Sequence, residues 1–269
     1  MRHANDQSGF TLVEMIMVIV ILGVIGGTVA VFLRKPVDAY VDTARRAALS
    51  DLADTAVRRV ARDIQRALPN SLRNPSSQCV EFIPTRTGGR YRAQTTAAGT
   101  GDILDFTTAD SSFGVFGNLA SLPADQQVRV GDVVVVYNLG ITGADAYAGD
   151  NTSAVTAVAS GSESVISIAA KTFPLASANH RFQVVPGDEK IIAFVCSGGK
   201  LYRSSNHAYA SSCPTAGAAV LADNVASCNF VYNDSDLQRN ALVRMTMVLT
   251  DAQGESASLY HEVHVNNTP

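Results

Sequence analysis

The fold turns on Gly9-Phe10-Thr11-Leu12-Val13-Glu14 and the run that follows it, Met15 to Leu33, MIMVIVILGVIGGTVAVFL. These nineteen residues carry no charge. As an α-helix they would reach roughly 28 Å at about 1.5 Å per residue, close to the hydrocarbon thickness of a bilayer. A cleavable secretory signal has a shorter apolar core, about 7 to 15 residues, with a small-residue cleavage site behind it. The run therefore reads as a membrane-spanning helix. Glu14 is the anomaly at its head, because a carboxylate entering hydrocarbon costs on the order of a few kcal/mol unless paired or protonated. It demands a partner. The plain alternative is an ordinary signal anchor with an acid near the lipid headgroups.

Beyond Pro36 the chain continues VDAYVDTARRAALSDLADTAVRRVARDIQRAL. Leu49, Leu52, Ala56, Val60, Ile64 and Leu68 recur at steps of three and four, which makes one helical face. Asp42 with Arg46 and Asp54 with Arg58 are acid-first pairs four residues apart, and Pro69-Asn70 ends the element. Arg45, Arg46, Arg58, Arg59, Arg62 and Arg66 could form a stripe for nucleic acid. Five aspartates between Asp38 and Asp63 nearly cancel them, so a solvated face is the reading. Span and stalk can form one helix, loosened near Gly26-Gly27 and Pro36.

After Asn74 the periodicity changes to short apolar runs with turn signals: CVEFIP, DILDFT, DVVVVYNL, SVISIAA, FQVVP, IIAFVC, KLYR, NFVY, LVRMTMVLT and SLYHEVHV. These read as strands. IIAFVC and KLYR, joined by Ser197-Gly198-Gly199, form an expected hairpin, and so do RMTMVLT and SLYHEVHV around Asp251-Ala252-Gln253-Gly254. Gly140 to Gly161 is rich in Gly, Ala, Ser and Thr and reads as a surface loop. The fold class expected is α+β, with a long N-terminal transmembrane and amphipathic helix packed on an antiparallel β-rich head.

The chain has 269 residues and a net charge of -3, so the whole molecule has no general attraction for phosphates. Arg34 to Arg92 holds twelve Lys/Arg against six Asp/Glu, and Ala93 to Pro269 holds eight against sixteen. This asymmetry is either ordinary solvated surface or a basic stalk that meets an acidic head on a neighbouring subunit. Cys79, Cys196, Cys213 and Cys228 make disulfides the expectation outside the cytoplasm. Cys196 and Cys213 flank the KLYR return while Cys79 and Cys228 sit near separate strands. The pairing expected from this is Cys196 with Cys213 and Cys79 with Cys228, one of three connectivities that four cysteines allow. They form no CxxC pair, and no His stands at zinc-finger spacing from them.

GFTLVE ahead of an apolar run resembles the processing signature of type IV prepilins and type II secretion pseudopilins. The resemblance implies that a prepilin peptidase cuts between Gly9 and Phe10 and methylates the new Phe10 amine, leaving Glu14 as the fifth mature residue. The Phe10 amine is then a cation at the membrane edge, and Glu14 of an adjacent subunit can neutralise it where the dielectric is low. One feature departs from expectation. Arg34 and Lys35 follow the span while Asp6 offsets Arg2, so charge counting alone favours the opposite orientation; the motif sets it with the head outside. The layout expected is a leader over 1–9, a transmembrane helix over 10–36, an amphipathic stalk over 37–69 and a periplasmic β-rich head over 70–269.

Within that family, Pro84 to Arg92 (PTRTGGRYR), Val130 to Tyr137 (VGDVVVVY) and Val263 to Pro269 (VHVNNTP) resemble the O-type minor pilins of mannose-sensitive haemagglutinin (MSHA) pili. This implies a low-abundance subunit that initiates or joins the pilus. Its partners would be the prepilin peptidase, other pilins or minor pilins and an inner-membrane assembly platform. The place implied is the inner membrane, single-pass with a periplasmic head, or the pilus at the cell surface. A type II secretion pseudopilin, a pilus-tip adhesin and a DNA-uptake pilin are the alternatives; no nucleic-acid partner is expected otherwise.

An enzyme is not expected. The sequence has no Gly-x-Ser-x-Gly elbow, Walker loop or GxGxxG. His261 and His264 stand three apart on an expected strand, facing opposite sides. Asn233-Asp234-Ser235-Asp236 lacks the glycine and distal glutamate of an EF-hand and reads as a polar turn. No catalytic residue, metal or cofactor follows from the sequence.

Overall fold

Helix α1 runs Leu12–Ile64 without interruption, taking in Gly26, Gly27 and Pro36. The computed structural model describes residues 9–205, 213–232 and 240–269. Two compact units divide the chain, Met1–Ala48 and Leu49–Pro269. In the first, the described residues are helical from Leu12 and almost entirely exposed. Thr28 donates its hydroxyl back to the carbonyls of Val24 and Ile25, at 2.5 and 3.2 Å. This is the usual way a hydroxyl is satisfied in a helix without water.

The second unit begins inside α1. Its strands among the described residues are β1 Arg73–Ser76, β2 Cys79–Phe82, β3 Thr87–Arg90, β4 Asp110–Phe116, β5 Val133–Val136, β6 Thr152–Ala159 and β7 Glu163–Lys171. They continue with β8 Arg181–Val185, β9 Ile192–Ser197, β10 Lys200–Ser205, β11 Ala219–Ala222, β12 Val225–Tyr232, β13 Asn240–Thr250 and β14 Ser256–Asn266. They form a five-stranded sheet ordered β1-β2-β9-β10-β11, a three-stranded sheet β12-β13-β14 and a six-stranded sheet β3-β8-β5-β6-β7-β4. Neighbouring strands pair antiparallel throughout. The protein is therefore α+β, with its long helix packed on antiparallel sheets.

The stalk periodicity explains that packing. Leu49, Ala53, Ala56, Val57, Val60, Ala61 and Ile64 share one buried cluster with Phe82 of β2, Phe194 of β9, Phe230 of β12 and Met247 of β13. Alanines alternate with larger residues on this face, which lets the helix backbone approach the sheets closely. The helix ends at Ile64, five residues before Pro69, because the chain turns to strand-like pairing: Ala67 bridges Pro84 and the Leu68 amide donates to Ile83. Leu68 accordingly leaves the stalk face and packs with Ile83, Val135, Ala146 and Val185.

The six-stranded sheet lies wholly between β2 and β9 in the chain. An antiparallel bridge from Tyr91, just past β3, to Val115 of β4 ties its two edges together. Closing a sheet in this way leaves few unpaired backbone groups at its rims. The six strands curl around their own core, which includes Tyr91, Phe113, Ile166, Phe173 and Phe182. Phe113 and Phe182 meet edge to face with ring centroids 5.3 Å apart.

Both expected hairpins form, β9 with β10 and β13 with β14. Gly198 and Gly199 turn the first with φ of 57 and 75°, the left-handed pair that a two-residue hairpin requires. Two sequence expectations are corrected. DILDFT is not a strand: the Asp105 carboxylate accepts bonds from Thr107 and Thr108, which curls the backbone into a local turn instead. Gly140 to Gly161 is a loop only in part, since β6 occupies Thr152–Ala159 and buries Ser153 and Val155. Small residues hide that strand from a reading based on large apolar ones.

Candidate assembly site on the N-terminal helix

Thr11 precedes the helix, and its side chain accepts a hydrogen bond from the Glu14 amide at 3.3 Å. Thr11-Leu12-Val13-Glu14 thus has the spacing of a capping box, with the Glu14 amide shared between the Thr11 hydroxyl and the Thr11 carbonyl, the latter at 3.1 Å. Glu14 also lies where the helix dipole favours negative charge. It is exposed, and no cation lies beside its carboxylate among the described residues. Phe10 is 84% exposed. Gly9 is exposed as well, with nothing within 4 Å of where a Cβ would stand. The Gly9–Phe10 bond therefore lies in accessible chain just before the capped turn. The leader up to Ser8 lies outside the described residues.

From Leu12 to Leu33 the large apolar side chains are all exposed, a length and composition sufficient to cross a membrane. Gly23, Gly26 and Gly27 meet no neighbouring atom within Cβ reach. Their conformational cost in a helix, about 1 kcal/mol each relative to alanine, is not offset by packing within the chain. An apolar surface of this kind is covered by lipid or by other helices.

The sequence places its cysteines correctly in two disulfides but pairs them wrongly. The bonds join Cys79 to Cys213 and Cys196 to Cys228, with Cα separations of 6.3 and 6.2 Å. Strand register is the reason. Cys79 lies opposite Val195, so it shares a face with Ala193, Val195 and Cys213. Cys196, one residue on, points to the opposite face with Ile192, Phe194 and Cys228. Side-chain alternation separates Cys196 from Cys213 and Cys79 from Cys228.

Among the expected ion pairs, Asp54 and Arg58 meet at 2.6 Å, while Asp42 reaches Arg45 at 3.7 Å. Sequence reasoning missed the buried polar groups. Asp63 receives Arg203 from β10 at 2.7 Å and Arg59 at 3.4 Å; the Arg59 spacing was the available signal, but Arg203 is 140 residues away. Asn138, fully buried, donates to the Pro69 carbonyl and accepts from the Ala146 amide, each at 2.8 Å. Asn70 reaches both the Asn138 carbonyl, at 2.9 Å, and Asn267. This brings together the end of the helical region, the strap after β5 and the C-terminal segment. The patches 84–92, 130–137 and 263–269 fall respectively at β3, at β5 and at the end of β14. His261 and His264 take alternate faces of β14, and Asn233 to Asp236 lie outside the described residues.

Residues 4–30 match the family model described as the prokaryotic N-terminal methylation motif. Comparison with curated proteins and with solved structures gave no match. A motif match at the head of a single long apolar helix, on an α+β fold, supports a type IV pilin-like protein, a structural subunit rather than an enzyme. The motif implies processing by a prepilin peptidase, assembly with other pilins and single-pass anchoring through the N-terminal helix.

Proposed function

We propose that the chain is a minor pilin of an MSHA-type type IV pilus, cut between Gly9 and Phe10 and methylated on Phe10. Glu14 is assigned to assembly. The observation that carries the reading is a lone carboxylate in the capped first turn of a helix whose stretch up to Leu33 is otherwise uncharged and exposed, four residues from the amine that cleavage would create. In a bundle of such helices each group left alone is an uncompensated charge, and Glu14 of one subunit beside Phe10 of the next removes both.

The resemblance of the three patches to O-type minor pilins favours the subtype, and a head that carries an inserted six-stranded module suits a subunit chosen for its partners. The head is assigned to the periplasm and the stem to the inner membrane.

The reading is tested in peptidase-positive cells. Intact mass should give a chain beginning at methylated Phe10, and the protein should co-purify with MSHA pilins. Glu14→Ala should be inserted, cleaved and folded yet fail to co-purify. A mature chain that starts at Met1, or normal recruitment of Glu14→Ala, contradicts it; co-purification with secretion pseudopilins instead would move the protein to that system.

A further inference from the structure

Among the described residues, every sheet edge of the head but one is closed or blunted. Tyr91 and Val115 bridge the edges of the six-stranded sheet. The five-stranded sheet ends in β1 and β11, each four residues long with an irregular register, and β1 contains Pro75. In the three-stranded sheet β12 is bulged between Val225 and Ser227. Its outer side is also occupied, since the Val225 amide donates to the Gly199 carbonyl at 2.9 Å and the Phe230 amide to the Ser77 carbonyl at 2.7 Å. β14 is the exception. It pairs with β13 over eleven residues without a shift in register, has no proline, lysine or arginine, and carries Glu262 as its one formal charge. A long, regular edge of this kind is a template for another strand.

The hairpin turn shows which peptide groups are free. The Asp251 amide donates to the Glu255 carbonyl at 2.9 Å, and the Thr250 amide turns the other way, to Asn224. Alternation along an antiparallel pair then directs the N–H and C=O groups of Ala257, Leu259, His261, Val263 and Val265 to β13, and those of Ser256, Ser258, Tyr260, Glu262 and His264 outward. No backbone group among the described residues bonds to this second set. The core face is open at the same place: Met245 and Met247 of β13 are buried, whereas His261 and Leu259 opposite them are half-buried. A strand laid along β14 would supply both the hydrogen bonds and an apolar cover.

A second copy of the chain does not fit. Antiparallel pairing of β14 with itself places a two-fold axis normal to the sheet, which reverses the direction of residues 49–64 of α1, packed on that sheet's buried face. Two chains anchored in one membrane through the N-terminal ends of their helices cannot take up that arrangement. Nor does a second copy offer, among the described residues, another edge of comparable length. Given the pilin reading above, on which this rests, we infer that the free edge of β14 receives a strand from the head of a different pilin-type subunit, joined by main-chain hydrogen bonds.

The test uses the full chain, expressed in peptidase-positive cells with the pilins that co-purify with it. A benzoylphenylalanine photocrosslinker placed at Tyr260 should join it to the head of one other pilin, and the same group at Phe116, exposed on β4, should not. In the purified complex the Ser258, Tyr260, Glu262 and His264 amides should exchange with solvent at least about tenfold more slowly than in the chain alone. Tyr260→Pro removes an outward donor without touching a bond to β13. It should lower recovery of the partner roughly fivefold or more, while Tyr260→Phe leaves it unchanged. Cross-linking and exchange read the unaltered backbone, so the result does not hang on how the proline variant folds. A cross-link to a second copy or to a protein other than a pilin overturns the inference, as does unchanged exchange at these amides. Full recovery of the partner with Tyr260→Pro, alongside its loss in Glu14→Ala, overturns the role of the edge and leaves the pilin reading standing. Failure of any pilin to co-purify with the unaltered chain overturns both.

Discussion

Arg203 of β10 donates from Nε to the Asp63 carboxylate at 2.7 Å, and Asp63 is a helix residue only 4% exposed. The same guanidinium reaches Glu189 at 2.8 Å. One side chain thus fastens the last turn of α1 to the five-stranded sheet and to the segment leading into β9. A buried carboxylate without this partner would have to be neutralised or hydrated, at a cost of several kcal/mol.

Asp63→Ala should therefore lower the unfolding free energy by about 2–4 kcal/mol, because it strips the half-buried Arg203 of its nearest acid. Asp54→Ala, which breaks an exposed pair on the same helix, should cost under about 1 kcal/mol. Urea unfolding of the full chain in detergent compares them. Equal effects would show that the Arg203 contact is no more than surface decoration.

Peptide mapping without reductant should recover Cys79 joined to Cys213 and Cys196 joined to Cys228. Replacing Cys196 and Cys228 together by serine should cost about 4 kcal/mol, the loop-closure value for a separation of 32 residues. A peptide linking Cys196 to Cys213 would contradict the strand register described above.

Asp105 should titrate far below an ordinary carboxylate. The Thr107 amide, then the Thr107 and Thr108 hydroxyls, donate to it and bring it from 3.8 to about 2. A depressed pKa stabilises the fold fully above the unfolded value, and the contribution is lost as pH falls through the folded one. The loss from this group should thus fall between about pH 3.8 and 2 and be absent in Asp105→Asn. Carboxyl chemical shifts followed by NMR should show a midpoint near 2; one near 3.8 would mean the turn does not hold in solution.

Glu14→Gln separates the two roles open to Glu14. Glutamine serves a capping box as glutamate does but carries no charge. Recruitment into the pilin complex should fall by at least about tenfold, as for Glu14→Ala, if the charge is the working feature. Recruitment like that of the unaltered chain would assign Glu14 to helix capping alone.

The N-terminal features were legible in the sequence because their causes are local. An uncharged run long enough for a bilayer, a Gly-Phe-Thr-Leu-Val-Glu motif at its head and a stalk face repeating every three to four residues depend on neighbours a few positions away. The hairpins were legible for the same reason, since Gly198-Gly199 is a turn signal within six residues of both strands. What tertiary structure alone decided depends on distant partners. The disulfide connectivity follows from whether Cys79 and Cys196 point to the same face of the five-stranded sheet, which register fixes and spacing does not. β6 escaped notice because alanine, serine and threonine become a strand only when β5 and β7 pair on either side of it. Asp63 with Arg203 and the asparagine junction arise where segments far apart in the chain are brought side by side, and no local pattern encodes which ones meet.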